Sequence, residues 1–479
     1  MNGGEEKKNY RTIVKAISLF GGTQVFSILC SIVKTKLIAI WLGAGGVGII
    51  GLYSNTIDMI SALTGLGLGG SSVRSISREY QSGDADRFAR VVTVVRRWVW
   101  FTGLAGAVLM LSFAPLLSRY TFGDSQHIWG FVFLSCTLLF NALSEGERAI
   151  LQGTARLKSM ARCSVIGSVV ALLVSIPLFY FFRIEGIVPS LMLHSSSIWL
   201  VYVLFGEKIK RKQVSMSAGE IFQQGKGIAA LGIFMTTSGF VTSLFSYLFV
   251  AWLNYRSGTD EVGYYQSGYT LVMKYVGLVF TAMMMEYYPR LSGVCEDRRL
   301  LSEHVSQQIE TSLLVLAPLV SLFIVLQTVI IHVLYTADFL VIGEYISWAA
   351  LGMLLRAFSW SVSFVLLAKG VGRLYLITEV LADSLTFVLN IVGYLLWGLA
   401  GVGVAYLLGF LFSSVGLYLL CRVKYGLVIP RRVFVLLTLG TVGGAVVLLL
   451  FHGGYVAGAW VATAVVVALA GLQLKRRLA

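Results

Sequence analysis

An all-α, polytopic membrane protein with about fourteen transmembrane helices is the fold this sequence predicts, on three observations. Apolar residues make up 57% of the 479, charged residues only 13%, and mean hydropathy is +0.81. Globular domains are about 45–50% apolar and about 25% charged. Apolar stretches long enough to cross a bilayer, roughly 20 residues, recur from end to end. Lys and Arg gather in alternate connections between them.

The predicted spans are 13–42, 46–69, 92–118, 127–152, 159–182, 186–206, 227–254, 262–288, 307–335, 342–368, 372–397, 399–421, 432–451 and 456–473. With the N-terminus in the cytoplasm, thirty of the 38 Lys and Arg fall on inner segments, from Lys7 and Arg11 through Arg74, Arg87, Lys208 and Arg290 to Lys475. The outer loops hold only Arg119, Arg183 and Arg256. Positive charge favours the cytoplasmic side, so both termini are expected there. This placement also accounts for the net charge of +15 without a nucleic-acid partner. The longer inner connections, 70–91 and 207–226, are amphipathic or polar and read as surface segments.

Other function classes fall away. The polar start MNGGEEKKNYR is not followed by a short apolar run with a cleavage site, so no signal peptide is expected. Cys30, Cys136, Cys163, Cys295 and Cys421 are scattered and read as packing thiols. His127, His194, His304, His332 and His452 show no ligand spacing, so no metal site is expected. No GxxxxGK[ST] sequence is present, and no cofactor is implied.

The chain also repeats itself. VGIIGLYSN begins at Val47 and VGYYQSGYT at Val262, an offset of 215, and each follows a Trp-Leu pair, Trp41-Leu42 and Trp252-Leu253. Gly153-x-x-Arg156-Leu157 matches Gly370-x-x-Arg373-Leu374 at an offset of 217, and Gly186 matches Gly401 at 215. Each repeat covers six spans, 1–212 and 213–424, with 425–479 an appended helix pair. Six is even, so both repeats enter from one side and are expected to be related by an axis along the membrane normal.

The runs KLIAIWLGAGGVGIIGLYSN (36–55), TDEVGYYQSGYTLVMKYVGL (259–278), YYPRLSG (287–293) and LAKGVGRLYLITEV (367–380) resemble Wzx-type polysaccharide flippases of the multidrug/oligosaccharidyl-lipid/polysaccharide exporter superfamily. The resemblance covers about residues 12–424. It implies two six-helix lobes in a bacterial inner membrane. It further implies transfer of an undecaprenyl-pyrophosphate-linked oligosaccharide from the cytoplasmic to the periplasmic leaflet, with substrate held between halves that rock for alternating access. Relatives of this kind have twelve spans. The extra pair is a departure, shared with fourteen-span members such as lipid II flippases.

Such a flippase breaks no bond in its cargo. It needs cations for a pyrophosphate, and charges inside spans are costly enough to be functional candidates by default. Lys34 and Lys36 lie roughly 9–13 Å from the outer end of span 1 and point about 200° apart. Lys274 falls near the middle of span 8, which in this superfamily lines the cavity with spans 1, 2 and 7. Arg356 is mid-span in span 10 and offers bidentate geometry to phosphate, or faces Glu379 or Asp383. These four are the candidate pyrophosphate ligands. Asp58 is a candidate for a coupling ion or charge balance, and Glu286 for an inner gate. Glu145, Glu147 and Arg148 read as a structural cluster. Tyr53, Tyr264, Tyr265 and Tyr269 are candidates for sugar contact, each weighed against ordinary packing.

The expected energy source is the membrane potential or a proton or sodium gradient. Expected partners are the lipid-linked oligosaccharide, membrane lipids and other glycan-assembly proteins, with function as a monomer. Competing readings are a lipid II-type flippase, a cation-coupled drug exporter of the same superfamily, and a membrane glycan polymerase or ligase. The last is disfavoured by the short outer loops.

Overall fold

The computed structural model describes residues 3–206 and 216–478. Lys208, Lys210, Arg211, Lys212 and the repeat boundary expected at 212/213 lie outside the described residues, as do the side chains of Lys7, Lys8, Arg11, Lys15, Arg476 and Arg477.

Every regular element among the described residues is helical. Hydrocarbon offers a backbone N–H or C=O no partner, so each apolar stretch must satisfy its own hydrogen bonds. Spans 1 and 2 form one helix, Gly3–Thr64, bent at Gly43. An amphipathic helix, Leu68–Gln81, follows in the segment expected on the inner surface. Spans 3 to 7 are Ala85–Phe122, Ile128–Gly153, Leu157–Phe182, Ile187–Phe205 and Ala218–Ser257. Span 8 is broken: Thr259–Tyr269, a π-helical turn Thr270–Val276, then Leu278–Val294. Spans 9 and 10 are Arg298–Leu334 and Gly343–Ala368. Spans 11 and 12 share Gly372–Tyr425, bent at Trp397 and Gly398. Spans 13 and 14 are Arg431–His452 and Val456–Leu478.

The corners repeat. Gly43 (φ 64°, ψ −166°) and Gly258 (φ 86°, ψ 177°) stand 215 residues apart. So do Arg183 (φ 53°, ψ −126°) and Gly398 (φ 59°, ψ −142°), and Ala155 (φ 53°) and Gly370 (φ 69°). Positive φ is costly for residues with a Cβ, so its recurrence at one offset marks a shared backbone plan.

The chain divides into two compact units, Met1–Val262 and Gly263–Ala479. Span 7 heads the second repeat in sequence yet packs with the first unit. Asn55 Oδ1 accepts from Ser246 Oγ at 2.8 Å, the Thr121 and Tyr247 hydroxyls meet at 2.9 Å, Asn254 Nδ2 donates to the Thr121 carbonyl at 2.9 Å, and Trp98 Nε1 donates to the Ile221 carbonyl at 3.0 Å. Repeat boundary and packing boundary are therefore different quantities here. The first unit's core gathers Ile57, Met110, Phe131, Leu134 and Phe179. Asp84 caps span 3, accepting from the Asp86 and Arg87 amides at 3.0 Å, and those bonds, that of Arg87 first, hold its carboxyl below the usual range.

In the second unit, span 10 is the enclosed centre: 83% of its most apolar stretch is buried, against 17% for span 14, whose Val461, Val465 and Leu472 face outward. Gly403 lets the backbones of spans 10 and 12 meet, since a Cβ there would stand 2.5 Å from the Tyr345 carbonyl oxygen. Span 13 is fastened at both ends. Near its start, Arg432 Nε lies 2.8 Å from Oε1 of Glu310, a carboxylate only 1% exposed on span 9. At its finish, His452 Nε2 lies 3.1 Å from Ser347 Oγ, which donates to Gln327 Oε1 at 2.9 Å.

Removing Arg432, whose side chain is 64% exposed, takes one partner from the buried Glu310 carboxylate. Arg432→Ala is therefore expected to destabilise the purified protein by about 1 kcal/mol, because water screens the exposed side of the pair, read as a fall of roughly 1–2 °C in melting temperature for a chain of this length. Adding Glu310→Gln to it should recover most of the loss. A single variant that melts with the wild type would show that the pair contributes nothing.

Candidate substrate site

In the first unit, Lys34 is half-buried on span 1 and close enough to His194 of span 6 for their charges to interact. Lys34 has no hydrogen bond or ion pair among the described residues, and His194 Nδ1 is buried without a partner. Lys36 is also half-buried, and Asp58 is exposed on span 2. Tyr53 differs from the expectation of a sugar-contacting wall. It is 2% exposed, packs on Phe122 and Phe131, and its hydroxyl meets His127 Nδ1 at 2.8 Å. A large amphipathic ring that finds a polar partner at the rim of a core has no reason to stay wet. The Glu147 carboxylate is clasped by Arg96 through two bonds of 2.8 and 3.0 Å, and Glu145 accepts from Arg148 at 2.7 Å.

In the second unit, Lys274 is exposed on the π-helical turn of span 8, a distortion frequent at functional sites. Arg356 is held among soft and aromatic groups. Nη1 lies 3.1 Å from Met273 Sδ, and the guanidinium sits 5.6 Å over Phe280 and 5.5 Å over Phe410. It couples electrostatically to Glu379 on span 11, but no carboxylate lies within ion-pair distance among the described residues. Asp383 lies one turn beyond Glu379 and interacts with it. Thioethers are weak acceptors, so several guanidinium N–H groups keep donor capacity.

The tyrosines expected to meet sugar divide by burial. Tyr265 is 2% exposed, stacks on Tyr345 and shares a 2.9 Å hydrogen bond with the Tyr406 hydroxyl, so it belongs to the packed interior. Tyr269 is half-buried between Tyr265 and Tyr406, and Tyr264 is half-buried with its ring edge-on to Phe339. Glu286 is exposed and pairs with Arg290, one turn on, at 3.1 Å. Such surface pairs contribute little. Sequence reasoning passed over His127, His194, Tyr345 and Tyr406. The signal for His194 was there, an ionisable group seven residues into an apolar span, but it was weighed only for metal spacing. Among the described residues no group of three His, Cys, Asp or Glu could hold a metal ion.

Residues 42–344 match the family model described as "Polysaccharide biosynthesis protein". The chain belongs to this family. Among curated relatives, it is 22% identical over 396 residues to the Lipid III flippase of Escherichia coli (strain K12), covering 79% of this chain and 90% of that one. The same figures hold for the Lipid III flippase of Shigella flexneri. Among solved structures, an inward-facing multidrug resistance MATE family transporter of the MOP superfamily aligns at a TM-score of 0.71 and 15% identity, over 86% of this chain and 95% of that one. The lipid II flippase MurJ aligns at 0.66 and 15%, over 96% and 99%. At these identities the solved structures speak to fold, and this family member has the fold that they share.

The Tyr53–His127 bond ties the span 3–4 corner to span 2. Burial pushes the His127 imidazole below its ordinary value, opposed by nearby Asp124. A histidine whose folded value is lowered gives stability that is present above the unfolded value, about 6.5, and is lost as pH falls below it toward the folded value. Thermal unfolding of the purified protein between pH 7.5 and 5.5 is expected to lose more stability on acidification in wild type than in His127→Gln. Parallel curves would remove His127 from the pH response.

Proposed function

We propose that this family member is a flippase that carries an undecaprenyl-pyrophosphate-linked oligosaccharide from the cytoplasmic to the periplasmic leaflet of a bacterial inner membrane, with both termini cytoplasmic. The observation that carries the reading is the set of cations within spans, Lys34, Lys36, Lys274 and Arg356, in a polysaccharide biosynthesis protein. A pyrophosphate brings two negative charges that hydrocarbon cannot solvate. Ammonium and guanidinium groups set inside spans answer that cost, and a guanidinium does so bidentately. The relatives named lipid III flippase support a lipid-linked cargo. Moving charge across the bilayer couples to membrane potential at about 2.3 kcal/mol per charge per 100 mV. Potential, or a proton or sodium gradient, is the proposed energy source. The chain works as a monomer among membrane lipids, next to other glycan-assembly proteins.

A second reading, a cation-coupled drug exporter, draws on the MATE likeness and on Glu379 and Asp383, two acids one turn apart on span 11. One experiment separates the two. The chain is expressed in strains that lack their own Wzx flippase and differ in glycan, with Lys36→Ala, Lys274→Ala and Arg356→Ala at matched levels. Restored surface glycan in at least one strain is expected, with each variant losing tenfold or more, on the order of 1.4 kcal/mol of binding. No restoration anywhere, together with extrusion of a cationic dye, would establish the exporter. Restoration by all three variants would remove these side chains from the site.

A further inference from the structure

Lys34 and His194 share a depth in the first unit. Lys34 lies nine residues before the bend at Gly43 and His194 seven residues into span 6, roughly 13 and 10 Å along their helices. Those helix ends are tied together. Arg183 Nη1, at the corner between spans 5 and 6, donates to the Trp41 carbonyl at 3.0 Å, and the Trp41 and Tyr180 rings meet edge-on at 5.4 Å. Two turns deeper, Ser27 of span 1 accepts from Ser168 of span 5 at 3.0 Å. Spans 1, 5 and 6 thus form one wall, with an ammonium and an imidazole at one level.

Both groups stand unsatisfied. The Lys34 ammonium has three donors and no partner among the described residues, and His194 Nδ1 is buried without one. A nitrogen as buried as His194 Nδ1 normally finds a hydrogen bond. Of the titratable groups on the elements packed against span 6, Lys36 stands near the depth of Lys34 but points about 200° away from it. Glu145, Arg148 and Cys163 couple to Tyr202, two turns further on, and Arg183 and Glu185 stand at the corner before Ile187. Lys34 is the charge that acts on His194. A second positive charge beside Lys34 is repelled unless an anion comes between them.

We propose that Lys34 and His194 form a proton-dependent anion site, in which His194 takes up a proton as a doubly charged phosphate group docks between the two side chains. The imidazole then donates from both nitrogens, and the pair presents two positive charges to the two negative charges of a pyrophosphate diester. The proposal rests on the flippase reading for its ligand. It adds to that reading that cargo binding consumes a proton, taken up by His194 as a second phosphate contact beside Lys34.

The test is equilibrium binding to the purified full chain in nanodiscs of zwitterionic lipid. The probe is a short-chain isoprenyl pyrophosphate carrying one N-acetylhexosamine, a diester whose own charge is constant near neutral pH. Between pH 5.5 and 8.0, wild-type affinity is expected to weaken with rising pH, by up to about tenfold per unit. His194→Gln should bind weakly with no slope, His194→Arg tightly with no slope, and Lys34→Met weakly at every pH. Inorganic pyrophosphate at one fixed pH should compete, and phosphatidylglycerol should not. Wild-type binding without a pH slope, or the wild-type slope persisting in His194→Gln, overturns the site and leaves the flippase reading standing. Displacement by phosphatidylglycerol alone overturns the assignment to pyrophosphate. Wild type that binds the probe at no pH overturns the flippase reading and this site with it.

Discussion

Hydrocarbon cannot hydrogen-bond, and nearly every feature of this molecule follows from that constraint. The backbone has to close its own bonds, so helices run to their full length and change direction only at a few corners. Those corners need positive φ, and glycine supplies it cheaply at Gly43, Gly258, Gly370 and Gly398. Two corners of the same plan carry a Cβ instead, at Ala155 and Arg183. Arg183 offsets the cost with its own side chain, which donates to the Trp41 carbonyl at 3.0 Å and so joins two helix ends.

The same constraint sorts the polar side chains. Most of those inside the units are matched: Asn55 with Ser246, Tyr53 with His127, Tyr265 with Tyr406, Glu310 with Arg432. These pairings set which helices belong together. They explain why span 7 joins the first unit and why the C-terminal hairpin is part of the second rather than a loose addition. Against that background, Lys34, His194 and Arg356 keep hydrogen-bonding capacity that is not used up, as do the buried hydroxyls of Tyr275 and Tyr345.

How much was legible in the sequence depended on the range of the signal. The spans were readable because each is a local run of apolar residues, and among the described residues ten helices or bent helix pairs are long and apolar enough to cross a bilayer. The repeat was readable because VGIIGLYSN and VGYYQSGYT, and likewise Gly186 and Gly401, stand 215 residues apart. The unit boundary at Val262 was not readable, since it is set by hydroxyl and amide contacts between residues more than 120 positions apart, such as Thr121 with Tyr247. The burial of Tyr53 and Tyr265 was hidden for the same reason: one tyrosine looks alike whether its hydroxyl meets water, His127 or Tyr406. The cations were found because a charge in an apolar run is visible locally. Their surroundings were not, since no local pattern tells that Met273, Phe280 and Phe410 surround the Arg356 guanidinium.

Shared backbone plan does not mean shared chemistry. In the first unit Lys34 is paired by no carboxylate among the described residues and couples to a histidine, a group that adds positive charge when an anion arrives. In the second unit Arg356 likewise has no carboxylate within ion-pair distance among the described residues, but Glu379, which in turn feels Asp383, lies near enough to act on it. The two cations therefore suit different work. An uncancelled charge beside a titratable base attracts an anion and adjusts to its charge. A charge held against acids fixes the local balance and changes chiefly when one of those acids does. On these grounds the anion-binding role falls more heavily on the first unit, even though arginine is chemically the better phosphate ligand, because the net field at a site, rather than the identity of one side chain, decides what it holds.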